Sequence, residues 1–154
     1  MSKKIIVKIK KNIKPGHGMG RTPLYATPGA AGADLYACLD EEIVIRPGER
    51  VQIPTGIALE LPGPEVVALI FARSGLAFNK GLSLCNGVGV VDSDYRGEVK
   101  VPLINLGSQD IKVENGERIA QILFVNVAKA VFVEVEKLED TPRGEGGFGS
   151  TGHK

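Results

Sequence analysis

The chain has 154 residues and a mass of 16.4 kDa, a length that suits one domain able to bury about two-thirds of the surface its unfolded chain exposes. Nineteen basic and eighteen acidic residues leave a net charge of +1, too weak a field to imply binding to nucleic acid or to a membrane surface. Cys38 and Cys85 stand 47 positions apart and form no CxxC pair, which argues against a zinc site or a disulfide framework and suits a reduced, cytoplasmic protein.

In chain order, the Lys-rich start alternates Ile5, Val7 and Ile9 with Lys8 and Lys10, the pattern of a half-buried strand at a basic sheet edge. It lacks the continuous apolar core of a signal peptide, and no later run reaches the roughly eighteen apolar residues of a membrane span. A soluble protein is expected. Twenty glycines and nine prolines then cut the chain into short β-branched runs, the punctuation of an all-β domain. Strands are expected at Ile5–Ile9, Asp34–Ala37, Ile43–Ile45, Val51–Pro54, Gly56–Leu61, Glu65–Phe71, Leu82–Leu84, Gly87–Val91, Glu98–Asn105, Ile111–Val113, Ile119–Asn126 and Val131–Glu136. Pro47-Gly48, Pro62-Gly63-Pro64 and Asn115-Gly116 supply turns.

Ser74–Lys80 lacks β-branched residues and reads as one short helix, with Ser74 or a neighbour near its start and Gly81 closing it. Val66–Phe71 and Ile119–Val125 are almost wholly apolar, so both faces of these strands should be covered, as in a sandwich with a second protein surface against it. From Thr141 the texture changes, with five glycines between Arg143 and Gly152 around a lone Phe148. Such a tail loses too much backbone entropy to order by itself. It is either a frayed terminus or a segment whose NH groups, hydroxyls and single Arg close on a phosphate as a lid.

Chemistry is constrained by the near absence of histidine. His17 and His153 lie in loop-like or terminal sequence, so a Ser-His-Asp or Cys-His arrangement has no base in the core. Phosphoryl chemistry tolerates this, since Arg, NH groups and Mg²⁺ stabilise charge while one carboxylate orients water. The densest polar segment is Asn86 to Glu98, in which Asp92–Asp94 reads as the turn of a β-hairpin and Gly89 and Gly97 leave room for a ligand. Three further polar groups interrupt apolar runs: Asp34 in AGADLYA, Arg73 in ARSGLA and Gln121 in GERIAQ. Each has an ordinary alternative, as a turn cap, a surface charge or an edge-strand residue. A hairpin tip, too, is often only a solvated turn.

In this order AGADLYA, ARSGLA, GVGVVDSDYRGE, GERIAQ and RGEGGFGSTG resemble the five motifs of the trimeric dUTPase family, and together they span most of residues 31–152. Val90, Val91 and Ala72 are small departures. The resemblance implies a jelly-roll β-fold over residues 1–140 with a flexible lid at 141–154, assembled as a homotrimer with shared active sites. The implied reaction is Mg²⁺-dependent hydrolysis of dUTP to dUMP and pyrophosphate. It casts Asp92 as the carboxylate orienting the attacking water, with Arg73 near enough to hold it, and Asp34 as a support of the metal's water shell, with no direct protein ligand.

Asn86 and the backbone around Val90, Val91 and Lys100 would read uracil, while Tyr95 would lie beneath the deoxyribose and exclude a 2′-hydroxyl. Ser74, Gly75 and Gln121 would contact phosphates. In the tail Phe148 would stack on the base, and Arg143, Gly149, Ser150 and Thr151 would reach the γ-phosphate. Two other readings stand beside this one: a dCTP deaminase or bifunctional relative of the same fold, and a non-catalytic nucleotide-binding or purely structural β-sandwich. The Asp92–Tyr95 segment and the Phe148 tail favour the pyrophosphatase.

Overall fold

The computed structural model describes residues 4–11 and 18–147. The fold is an all-β, jelly-roll-type sandwich with one short helix. Its elements are β1 (Lys8–Lys11), β2 (Leu24–Tyr25), β3 (Ala33–Tyr36), β4 (Ile43–Ile45), β5 (Arg50–Glu60), β6 (Val66–Phe71), α1 (Ser74–Lys80), β7 (Leu82–Leu84), β8 (Gly89–Val91), β9 (Glu98–Asn105), β10 (Ile111–Val113) and β11 (Arg118–Asn126). They form a four-stranded sheet β1-β5-β9-β7, a five-stranded sheet β2-β3-β11-β6-β8 and the pair β10-β4.

Side-chain alternation sets the core. Along β9, Val99, Val101, Leu103 and Asn105 point inward while Lys100, Pro102 and Ile104 point out, the period of two that a half-buried antiparallel strand requires. One continuous cluster draws Leu35 and Ile122 from the five-stranded sheet, Ile53 and Leu103 from the four-stranded sheet, and Ile45 and Val113 from the pair. Asn105 is fully buried within it, and its amide is saturated: Nδ2 donates to the Ile45 and Gln109 carbonyls at 2.8 Å each, and Oδ1 accepts from the Gly107 N–H at 2.9 Å. Satisfying the amide removes the penalty of burying it.

The two expected strands Val51–Pro54 and Gly56–Leu61 are one strand, β5, interrupted by a bulge. The ladder with β9 shifts between Pro54 and Ala58, and Gly56 takes φ +68°, which a side chain would strain. The Gly56 N–H, displaced from the ladder, donates to the Glu98 carboxylate at 2.9 Å. β1 begins later than expected, at Lys8, although Ile5, Val7 and Ile9 do pack against the core. β2 escaped the sequence reading because it is only two residues, both exposed. Val131–Glu136 form no strand; instead Val131, Phe132 and Val133 are 88, 93 and 75% exposed. Alternation makes a segment competent to pair but does not provide its partner.

A larger correction concerns residues 87–98. β8 pairs with β6, through Leu69↔Val90, whereas β9 pairs with β5 and β7. The segment is therefore not a hydrogen-bonded hairpin. It is a crossover that joins the two main sheets.

Candidate active site

Sheet register brings three of the motifs together. Gln121 on β11 lies opposite Asp34 on β3 and opposite Phe71 on β6, so Asp34 and Gln121 share one row and Arg73 follows two residues beyond it. Arg73 Nε donates to Asp34 Oδ1 at 3.0 Å, and Arg118 donates from a terminal nitrogen to Asp34 Oδ2 at 3.2 Å. Charge-assisted bonds of this kind fix the orientation of planar groups. Gln121 Nε2 donates to the Ala72 carbonyl at 3.0 Å, and a Cβ on Gly32 would stand 2.6 Å from Gln121 Oε1, so a side chain there would shift the amide. Ser74 and Gly75 begin α1 in the same place. Arg73 occupies the N-cap position with no side-chain capping bond, so neither it nor Ser74 acts as a helix cap.

These groups line one cleft of about 460 Å³ that includes Asp34, Arg73, Ser74, Gly75 and Gln121. A second cleft, of about 440 Å³, is lined by Gln52, Val90, Val91, Asp92, Tyr95 and Lys100 together with Glu98 and Val99. The two share no lining residue. Within one chain Arg73 pairs with Asp34, and Asp92 lines the other cleft. Arg118, which the sequence reading passed over, has the second claim on Asp34; its place inside GERIAQ was the available signal. Gln52 also went unmarked, because only the β5–β9 pairing, with Gln52 opposite Pro102, brings it to this cleft.

The second cleft is shaped by its crossover. The Tyr95 hydroxyl donates to the Glu98 carbonyl at 3.1 Å, and one Arg96 nitrogen donates to the carbonyls of Ser93 and Tyr95 at 2.8 and 3.1 Å. A Cβ on Gly97 would fall 2.3 Å from the Tyr95 hydroxyl oxygen. Glycine at 97 therefore lets the tyrosine ring lie along the backbone. Val90, at 63% exposure, and Lys100 face the opening. Asn86 is exposed in the turn before β8, where its carbonyl accepts from the Val88 N–H at 2.8 Å.

Arg143 donates from Nε to the Gly146 carbonyl at 2.8 Å, inside a turn of the tail itself. Phe148, Gly149, Ser150 and Thr151 lie outside the described residues. A surface concavity of about 900 Å³ between the end of α1 and residues 106–112 holds none of the predicted site residues. Among the described residues no group of three or more His, Cys, Asp or Glu side chains could hold a metal ion directly. No helix among them is long and apolar enough to cross a membrane, and Cys38 and Cys85 are both free thiols.

The dUTPase family profile matches residues 19–152. A deoxyuridine 5'-triphosphate nucleotidohydrolase of Desulfitobacterium hafniense (strain Y51) is 58% identical over 132 residues, 86% of this chain and 87% of that protein. The protein of that name from Neisseria meningitidis serogroup C is 53% identical over 130 residues, 84% of this chain and 87% of its own. Staphylococcus bacteriophage 80alpha dUTPase with dUPNHPP aligns at a TM-score of 0.81 and 26% identity, covering 96% of this chain and 98% of that one. A phage phi11 dUTPase with a structural Mg(II) ion aligns at 0.75 and 19% identity over 88% of this chain and 99% of its own, a likeness of fold. The chain belongs to the dUTPase family.

Proposed function

We propose that the protein hydrolyses dUTP to dUMP and pyrophosphate, and that each working site joins the Asp34–Arg73 cleft of one copy to the Asp92–Tyr95 cleft of another within a homotrimer. The observation that carries this reading is the separation of the two clefts. A nucleoside triphosphate needs both a base-and-sugar wall and a phosphate cradle, and one chain offers them without a shared residue. Leu123 and Val125, on the face of β11 opposite the buried Ile122, are only half-buried, and the apolar arm at 131–135 is exposed. Both features suit burial against further copies.

In the reaction, Asp92 holds and polarises a water whose oxygen attacks the α-phosphorus. The bond from that phosphorus to the bridging oxygen breaks, pyrophosphate leaves with the electron pair, and the water's proton passes to the carboxylate. Placement supplies most of the effect, because an exposed aspartate is a weak base. The phosphate chain lies against Ser74, Gly75 and Gln121, held by Arg73. Asn86 and the edges of β8 and β9 near Val90, Val91 and Lys100 take the base, and Tyr95 blocks a 2′-hydroxyl. The tail at 141–154 closes as a lid, with Phe148 over the base and Arg143, Gly149, Ser150 and Thr151 toward the γ-phosphate.

The donor set suits an outer-sphere Mg²⁺. Each oxygen of Asp34 takes one guanidinium bond, and the remaining lone pairs can receive waters of a hydrated ion. Bound there, Mg²⁺ would neutralise phosphate charge and orient the triphosphate. Incubation with Mg²⁺ and dUTP, dCTP, dTTP or UTP, followed by assay of pyrophosphate and monophosphate, tests the reading. Pyrophosphate from dUTP alone is expected. Ammonia from dCTP, or no turnover of dUTP, would overturn it. In the cell, such an enzyme limits uracil in DNA and supplies dUMP for thymidylate synthesis, from a cytoplasmic location.

A further inference from the structure

Behind the phosphate cleft lies another opening, of about 500 Å³, whose lining is strongly cationic. Arg21, Arg73, Lys80, Lys112 and Arg118 face it, and Glu117 is the single carboxylate among the described residues that line it. Some of this charge is already answered: Asp34 serves Arg73 and Arg118, and Glu42 accepts from Lys112 at 2.9 Å. With Asp34, Glu42 and Glu117 set against the five cations, and the Glu114 charge also acting on Lys112, one positive charge is left over. Arg21 and Lys80 make no ion pair among the described residues. A cleft with excess charge of one sign raises the local concentration of the opposite ion.

Arg21 is not a freely swinging surface cation. Its guanidinium carbon stands 5.6 Å from the centroid of the Tyr36 ring, a cation–π distance. One terminal nitrogen points to the Gly116 carbonyl at 3.5 Å. Gly116 takes φ +80°, and a Cβ there would stand 2.8 Å from the other terminal nitrogen. The absence of a side chain at Gly116 is therefore what lets the guanidinium lie there. A guanidinium held by a ring and a carbonyl, without a carboxylate, keeps N–H groups for an incoming oxyanion.

The opening shares Arg73, Leu76 and Lys80 with the cleft assigned to the phosphate chain. Tyr36, Leu76, Leu82, Ile111, Val113 and Ile119 also line it, and its five cations border a space that adjoins the phosphate cleft through Arg73 and Lys80. We propose that this cleft is a second oxyanion site that takes inorganic pyrophosphate, drawing the leaving group past Arg73 toward Arg21 and Lys112. The assignment of its occupant rests on the hydrolysis proposed above. The anion site itself rests on the charge and geometry of the cleft.

The test is calorimetric titration of pyrophosphate, with Mg²⁺, into the full-length protein already saturated with dUPNHPP, so that the catalytic phosphate cradle is filled. One further pyrophosphate per chain is expected, with inorganic phosphate binding about tenfold more weakly or less. Arg21→Gln should weaken the added pyrophosphate about tenfold, and Lys112→Gln, at an exposed position that leaves Tyr36 untouched, should weaken it as well. Arg21→Lys should restore part of the loss. No uptake by the loaded protein, uptake unchanged in both Gln variants, or phosphate binding as tight as pyrophosphate would each overturn the proposal. If dUTP hydrolysis fails while the nucleotide-free protein still takes up pyrophosphate through Arg21, the functional reading falls and the anion site stands.

Discussion

Arg73 Nε meets Asp34 Oδ1 at 3.0 Å, with side-chain exposures of 28% and 12%, and this pair fixes the relation between the end of β6, the start of α1 and the middle of β3. Arg118 binds the other oxygen, so one carboxylate orients two guanidiniums at the phosphate cleft. Asp34→Asn keeps the shape, removes the charge and turns one acceptor into a donor facing an Arg. We expect a loss of about 2 kcal/mol in urea denaturation together with reduced turnover that added Mg²⁺ does not restore. An unchanged denaturation midpoint would show that the pair does not hold these elements.

Asp92→Asn separates binding from chemistry. The residue is exposed and lines the base-side cleft, so most nucleotide contacts survive its neutralisation. Turnover should fall about a hundredfold or more, while dUPNHPP affinity stays within about twofold. Stopped-flow or steady-state assay beside a calorimetric titration makes the comparison, and near-normal turnover would remove Asp92 from its role.

Gly97→Ala probes sugar selection. The added methyl must displace the Tyr95 hydroxyl, 2.3 Å away, and so move the ring proposed to lie beneath the sugar. The ratio of kcat/KM for dUTP to that for UTP should fall, while the melting temperature changes little, because Tyr95 is 47% exposed. A selectivity ratio equal to the native one would show that Tyr95 does not read the 2′-position.

Removal of residues 143–154 tests the lid. Beyond Asn126 no strand is present among the described residues, so truncation deletes none of the sandwich described above. The thermal melt should stay in place while dUTP hydrolysis drops severely. Full activity in the truncated protein would refute closure by the tail.

The thiols should differ in reactivity. Burial raises the Cys38 pKa, with Glu98 and Asp40 adding to the shift, and its Sγ donates to the Gly18 carbonyl at 3.1 Å. Its reactive thiolate form is thus disfavoured. Cys85 is exposed. With limiting iodoacetamide near pH 8, mass spectrometry should find Cys85 modified first, and preferential labelling of Cys38 would contradict the placement.

Much of the strand order was legible because β-branched runs and Gly-Pro punctuation report local conformation. Ile43–Ile45, Leu82–Leu84, Glu98–Asn105 and Ile111–Val113 match the structure's boundaries, as does the helix Ser74–Lys80 closed by Gly81, which takes φ 75°. Pairing was less legible, since it depends on residues distant in sequence. The Asp92–Gly97 turn looks like a hairpin by composition, yet β8 finds β6 and β9 finds β5. The polar interruptions of apolar runs at Asp34, Arg73 and Gln121 were legible in sequence, and the fold brings the three to one cleft. Arg21 interrupts nothing in sequence, and only Tyr36 and Gly116, brought to it by the fold, give it a setting.

The crossover from β8 to β9 carries a consequence for fidelity. Val91 at its start and Val99 just past its end both belong to the common core, but they sit on strands of different sheets. The gap proposed to take the base is therefore a gauge of how tightly the two sheets are pressed together at that corner. Val99→Ala, or warming toward the melting transition, should blur the choice among pyrimidine nucleotides before catalysis or fold is lost. Accuracy in nucleotide choice thus becomes a property of the hydrophobic core as much as of the polar groups that touch the substrate.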